Sequence, residues 1–349
     1  MMIFIGLLII AIGAFCQSSS YVPINKVKDW SWESYWIVQG IFAWLVLPLL
    51  GAQLAVPEGH SLCELFGSNP SAMGMTFFYG VLWGIGGLTF GLSMRYLGVA
   101  LGQSLALGTC AALGTLLAPI FTGHTADLTS SVIIGVVVTL VGIAIIGIAG
   151  GMREKEQTVS HAPLNGEEAG DKTSSPKGDQ KESAFTKGII VALLAGFMSA
   201  CFNIGLAAGQ PLQFEGVDPM FASLPATLLV TLGGFCTNAA YCFYQNSRNK
   251  TWGDYGKMSV WTNNLLFCLL AGALWYSQFF GLSLGKGFLT ESPVLTTFAF
   301  CILMALNVTF SNLWGIILKE WKGCSKQTIT VLVIGLAILI ISSFLPQFI

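Results

Sequence analysis

The amides inside long apolar stretches of this chain include Gln17, Gln39, Gln103, Asn203, Asn238, Gln278 and Asn307. Polar groups of this kind are costly in lipid, so they face protein or a cavity. Two roles suit them, hydrogen bonds between helices or hydrogen bonds to a ligand. Trp275, Gln278 and Phe279 share a helical face by i, i+3, i+4 spacing, with Tyr276 next in the chain. A flat ring beside a bidentate amide suits the C–H face and hydroxyls of a sugar better than a cation or a lipid. Trp83 is the matching ring earlier in the chain, and Trp36 and Gln39 again share one face. The candidate ligand contacts are therefore Gln39, Trp83, Asn203, Asn238, Trp275, Tyr276, Gln278 and Asn307. Trp30, Trp32 and Trp321 read instead as anchors at headgroup depth, where aromatics gather.

Other chemistry is missing. None of the 17 Asp and Glu residues falls in the middle of an apolar stretch, and His60, His124 and His161 all fall in loops. The nine Cys show no CxxC pair and no metal-ligand spacing. No G-x-S-x-G, H-E-x-x-H or P-loop is present, so neither an enzyme nor an ATP-driven machine is expected. No cofactor, no metal and no nucleic-acid partner are expected either.

The elements that must position the amides are transmembrane helices. With 54% hydrophobic and 9% charged residues, and a mean hydropathy of +0.72, the chain is not an ordinary soluble domain. Ten apolar runs can be marked at 2–24, 35–57, 72–94, 97–121, 130–150, 186–209, 219–245, 258–284, 293–318 and 326–346. Each is about 20 residues or longer, enough for a helix to cross roughly 30 Å of hydrocarbon. Of the 16 Lys and Arg residues, 15 lie in the odd-numbered gaps or at the very start of the run that follows one, and only Lys286 in an even gap. The positive-inside rule then makes the odd gaps cytoplasmic and places both termini outside. The first run lacks a basic n-region and a cleavage site, and reads as a retained helix.

Residues 151–187 are polar and rich in Gly, Ser and Pro, the composition of a flexible cytoplasmic linker. They divide the chain into five-helix halves, 1–150 and 188–349. Gly80-Val-Leu-Trp83 with Gly91-Leu-Ser93 echoes Gly272-Ala-Leu-Trp275 with Gly281-Leu-Ser283. Because five is odd, related halves must cross the membrane in opposite directions, the inverted-repeat plan of carriers that work by alternating access. Gly80, Gly84, Gly87 and Gly91 line one face of the third run as a close-packing seam. Pro48, Pro119 and Pro225 interrupt the hydrogen-bond ladders of their runs.

The segment Val22-Pro-Ile-Asn-Lys26-Val-Lys28-Asp-Trp30-Ser-Trp32-Glu33 resembles the first cytoplasmic loop of the bacterial L-rhamnose–proton symporters, in the drug/metabolite transporter superfamily. The resemblance continues through Leu82-Trp83-Gly-Ile-Gly86, Gly91-Leu-Ser-Met-Arg95-Tyr96-Leu-Gly98, Gly216-Val-Asp218-Pro219, Leu224-Pro225, Leu274-Trp275-Tyr276-Ser-Gln278-Phe-Phe280 and Leu318-Lys319-Glu320-Trp321. It implies an all-α, ten-helix permease of the bacterial cytoplasmic membrane that imports a six-carbon deoxy sugar with protons. Two departures stand out: Gly87 where those symporters carry Asn, and a longer linker. Another sugar or metabolite of the superfamily, or a membrane sugar sensor that moves nothing, are the alternative readings.

Proton coupling, as the resemblance implies it, ordinarily uses an acid within the membrane, where desolvation raises the pKa. Without a central acid, the carboxylates at run ends remain: Glu33 first, then Glu320 and Asp218. Glu33 also suits a helix cap favoured by the dipole, and Lys26 and Lys28 lie nearby.

Overall fold

In the computed structural model, which describes residues 1–97, 99–160 and 178–349, the chain is helical with no strand among the described residues. Ten helices are long and apolar enough to cross a membrane: α1 Met2–Ile24, α2 Trp32–Gln53, α3 Pro70–Leu97, α4 Leu101–Phe121, α5 Ser130–Gln157, α6 Phe185–Ala208, α7 Leu224–Asn249, α8 Met258–Phe288, α9 Pro293–Ile317 and α10 Lys326–Gln347. The ten runs thus become ten spans. Of the 151–187 segment, helix covers residues to Ser160 and from Gly178, and residues 161–177 lie outside the described residues.

Proline sets two helix boundaries. Pro225 sits in the first turn of α7, where no amide hydrogen is required, so it starts this helix instead of breaking it. Residues 219–223, expected within the seventh run, form turns ahead of it. Pro48 follows a π-helical turn, Ile41–Val46, inside α2. Its missing amide hydrogen and its ring, crowding the carbonyl four residues back, give a reason for the widened winding there.

Packing joins the two groups of five throughout. Helix α3 packs on α6 and α7, and α8 packs on α1 and α2; α6 also packs on α4, and α1 on α9. Helices α5 and α10 pack on each other. Advancing every helix number by five maps these pairs onto one another, whereas the packing of α5 on α9 has no comparable α10–α4 counterpart. Glycine makes the closest approaches: a Cβ on Gly80 would lie 2.2 Å from the Val230 carbonyl of α7, and one on Gly84 would lie 2.9 Å from Gly234. The expected four-glycine seam stops there, because Gly87 and Gly91 face open space.

The basic gaps meet at one end of the bundle. Asn264 Nδ2 donates to the Lys28 carbonyl at 2.8 Å. Arg153 pairs with Glu320 at 3.2 Å. We term this the basic end; Lys286 lies near the far end. Trp30 and Trp321 are buried instead of anchoring at the surface, with Trp30 edge-on to Trp261 and Trp321 under the Arg153 guanidinium. Trp32 is exposed.

Candidate functional site

A cavity of about 560 Å³ opens at the far end, within the range of small-ligand sites, roughly 300–1,000 Å³. Its walls come from α4, α6, α8, α9 and the segment between α6 and α7. They offer neutral hydrogen-bonding groups: Thr115, Thr122, Asn203, Gln210, Gln213, Ser223, Ser283, Thr296 and Thr297. Thr115 and Asn203 are buried, whereas Gln210 and Thr290 are exposed, so the cavity runs inward from the surface. Its charged or titratable groups are His124, Asp127 and Lys286. Among the described residues Lys286 forms no salt bridge.

Local sequence explains the wall. The turns of 209–223 are pinned to α8 where Ser223 donates to Ser283 at 2.7 Å and Ser283 donates to the Met220 carbonyl at 2.8 Å. Asn203 Nδ2 donates to the Gly114 carbonyl of α4 at 2.8 Å. That bond orients the amide and joins the halves at the buried part of the cavity wall.

Next to Asn203, Phe202 stacks on Phe279 at 3.7 Å and meets Trp83 edge-on at 5.1 Å. Trp83 and Trp275 stand 5.8 Å apart, and Trp44 meets them edge-on at 6.2 and 5.8 Å. These rings come from α2, α3, α6 and α8, so both halves contribute. Trp36 extends the cluster toward the basic end, and its Nε1 donates to Asn238 Oδ1 at 3.1 Å. Among the expected ligand contacts, Trp83 and Trp275 lie in this cluster and Asn238 supports it. Only Asn203 lines the open cavity.

The other expected contacts are buried between helices. Gln278 Oε1 accepts from Asn307 Nδ2 at 3.0 Å, while Gln278 Nε2 donates to the Trp275 carbonyl at 3.2 Å. Ser18 of α1 donates to the Asn307 carbonyl, so three helices meet there. Asn307 Oδ1, Gln39 Oε1 and the Tyr276 hydroxyl are buried with no partner among the described residues.

The three carboxylates go separate ways. Asp218 is a surface residue that accepts from the Met220 amide at 2.9 Å, a local turn bond. Glu320, half exposed, makes the surface pair with Arg153. Glu33 is buried at the basic end, where its Oε1 accepts from Asn249 Nδ2 at 2.9 Å and from the Thr251 hydroxyl at 2.7 Å. Both partners are donors, the shell of an ionised carboxylate. The expected cap is thus turned across to the end of α7 and the turn that follows it.

Beside Glu33 lies an acid that the sequence did not single out. Asp254, in the turn between α7 and α8, accepts from the Ser31 amide and hydroxyl, both at 2.7 Å, and from Ser34 at 3.0 Å. Its second oxygen takes the Lys257 ammonium at 2.6 Å, and Lys257 also donates to the Asp29 carbonyl. Burial opposes ionisation of Asp254. The Lys257 ammonium and the Ser31 and Ser34 donors outweigh that effect and hold the carboxyl down at about 2. Together, Asp254 and Glu33 tie α2 of the first half to the second half.

Residues 1–346 match the family model described as L-rhamnose-proton symport protein. The chain is 30% identical over 345 residues to the L-rhamnose-proton symporter of Citrobacter koseri, covering 95% of this chain and 94% of that one. It is 31% identical over 346 residues to the protein of the same name from Mannheimia succiniciproducens, again covering 95% and 94%. For the Escherichia coli protein of that name the identity is 29% over 348 residues, with the same coverage.

Proposed function

The chain belongs to the L-rhamnose-proton symporter family, and we propose on that premise that it imports L-rhamnose together with protons across a bacterial cytoplasmic membrane. It is a ten-span membrane transporter and not an enzyme. The observation that carries the sugar reading is the cavity of about 560 Å³, whose polar lining is mostly neutral hydroxyls and amides, together with the aromatic cluster that begins at Phe202, the chain neighbour of Asn203. Hydroxyls and amides match a sugar's hydroxyl pattern, and flat rings match its C–H faces. In our reading the sugar first meets Asn203 and its neighbours, then the tryptophan cluster.

Transport then proceeds by alternating access between the inverted halves, 1–150 and 188–349. The exchange of the main neighbour pairs between the halves supports this plan. So does the combination of an open far end with a basic end bolted by Glu33 and Asp254. With basic gaps cytoplasmic, this is the outward-facing state, and both termini lie outside.

Among the three carboxylates, Glu33 is our candidate for coupling, because it alone is buried between the halves. A proton on Glu33 displaces one of its two donors and weakens the bolt, which links proton binding to inward opening. Asp218 and Glu320 bond locally or at the surface, and serve as the fallback pair.

The test is uptake of radiolabelled L-rhamnose by cells that express the chain and lack other rhamnose carriers. Concentrative uptake that collapses with an uncoupler is expected. Uptake insensitive to the uncoupler would remove the proton, and no uptake at all would remove the sugar.

A further inference from the structure

Trp44 reads in the sequence as one more apolar residue of a hydrophobic run, yet three observations set it apart. It sits on the π-helical turn Ile41–Val46, with its ring pressed over Gly40, where a Cβ would lie 2.6 Å away. Extra residues in a helical turn cost stability and gather at functional sites. Its ring meets Trp36, Trp83 and Trp275 edge-on, so it touches elements of both halves. Finally, its indole Nε1 is buried with no acceptor among the described residues, as are those of Trp30 and Trp321, but of the three only Trp44 stands in this ring cluster, and it is 4% exposed.

An unpaired buried donor is a cost that folds ordinarily remove. Here the cost recurs along one seam. Gln39 Oε1 and the Tyr276 hydroxyl are also buried without partners. The Gln39 backbone passes Gly272 of α8, and the Tyr276 hydroxyl abuts Gly51 of α2. Helices α2 and α8 thus hold an orphaned acceptor, an orphaned donor and an orphaned hydroxyl beside flat aromatic plates. Packing alone gives no reason to keep polar groups there, since phenylalanine or leucine would fill such a seam without the penalty.

We propose that Trp44 is a ligand-contacting residue. Its N–H and Gln39 form a second station for the sugar, entered after the far-end cavity, with Trp83 and Trp275 as the plates. This rests on the sugar reading above. In the present state the rings fill the station themselves. Rewinding the π turn as α-helix rotates Trp44 about the axis of α2 and draws its ring off Trp275, which opens the station as the halves move.

The test uses the full chain with Trp44→Phe, which keeps a ring and deletes the N–H. Purified in detergent without sugar, Trp44→Phe should be as thermostable as the wild type or more so, because an unpaired donor has gone. Its half-saturating L-rhamnose concentration, in uptake and in sugar exchange, should rise about fivefold, and its stabilisation by L-rhamnose should shrink. Unchanged half-saturation overturns the inference. Lower stability without sugar, with a normal response to sugar, also overturns it and makes the N–H structural. Uptake by the wild type is compared across L-rhamnose, L-fucose, D-mannose and L-arabinose. If it moves another of these and not L-rhamnose, the substrate reading falls, and the Trp44→Phe comparison is decided on the sugar it moves. If it moves none, the sugar reading falls and this inference with it.

Discussion

Replacing Asp254 with alanine should unlatch the basic end of the bundle. The carboxylate takes three hydrogen bonds from Ser31 and Ser34 of the first half and one from Lys257. Its pKa falls from 3.8 to about 2. At 1.36 kcal/mol per unit, that difference corresponds to about 2 kcal/mol of stabilisation of the latched form. Because the folded value lies below the unfolded one, the contribution is present in full above roughly pH 4 and is lost as the pH falls toward about 2. At neutral pH the same free energy favours the latched state over one with Asp254 in water by tens of fold. Cys268 provides the probe, since it is buried at 0% exposure and its thiol points at the Tyr35 carbonyl of α2. In a variant whose sole cysteine is Cys268, Asp254→Ala should speed alkylation by a membrane-permeant maleimide by tens of fold. Thermal stability of the detergent-solubilised wild type should decline between about pH 4 and pH 2 by a component that Asp254→Ala lacks. An alkylation rate equal to that of the parent would show that the network does not close this end, and the argument would fail at its first step.

Four further outcomes are expected. Glu33→Gln should abolish accumulation driven by a pH gradient while sugar exchange across the membrane persists; full accumulation would reduce Glu33 to a structural link. Gln278→Ala leaves Asn307 Nδ2 without its acceptor, so thermostability should fall by roughly 1–2 kcal/mol and half-saturation should rise several-fold; wild-type values for both would remove Gln278 from the pathway. Gly87→Asn meets no atom within 4 Å of the new Cβ, so stability should stay within about 0.5 kcal/mol and any change should appear in the preference among sugars; a variant that fails to fold would contradict the open space. Reporter fusions should place the C-terminus outside and residues 161–177 inside, and a cytoplasmic C-terminus would reverse the assigned orientation.

Much of this protein was legible from residue order because the bilayer acts locally. A span must be about 20 apolar residues whatever its neighbours, so all ten helices could be marked before any contact was known. The positive charges likewise cluster by gap, and the odd gaps meet at one end of the fold. Periodicity placed Trp275 and Phe279 on one face, and both join the aromatic cluster. Trp83 and Trp275 meet across the halves as expected, but other expectations failed where the partner of a residue lies in the other half. Glycine spacing made a stripe of four on α3, but only the packing of α7 decided that Gly80 and Gly84 are in contact and Gly87 and Gly91 are not. Asp254 reads as a loop acid until α2 brings Ser31 and Ser34 against it, across more than 200 residues of chain. Lys286 looked like a mere exception to the charge rule until α4, α6 and α9 closed around it as cavity walls. Trp44 carries no local signal, since its unpaired N–H is defined by the absence of any acceptor on the helices around it. Hydropathy and charge are properties of a segment, whereas a binding site is a property of distances between segments, and those exist only once the two halves have packed.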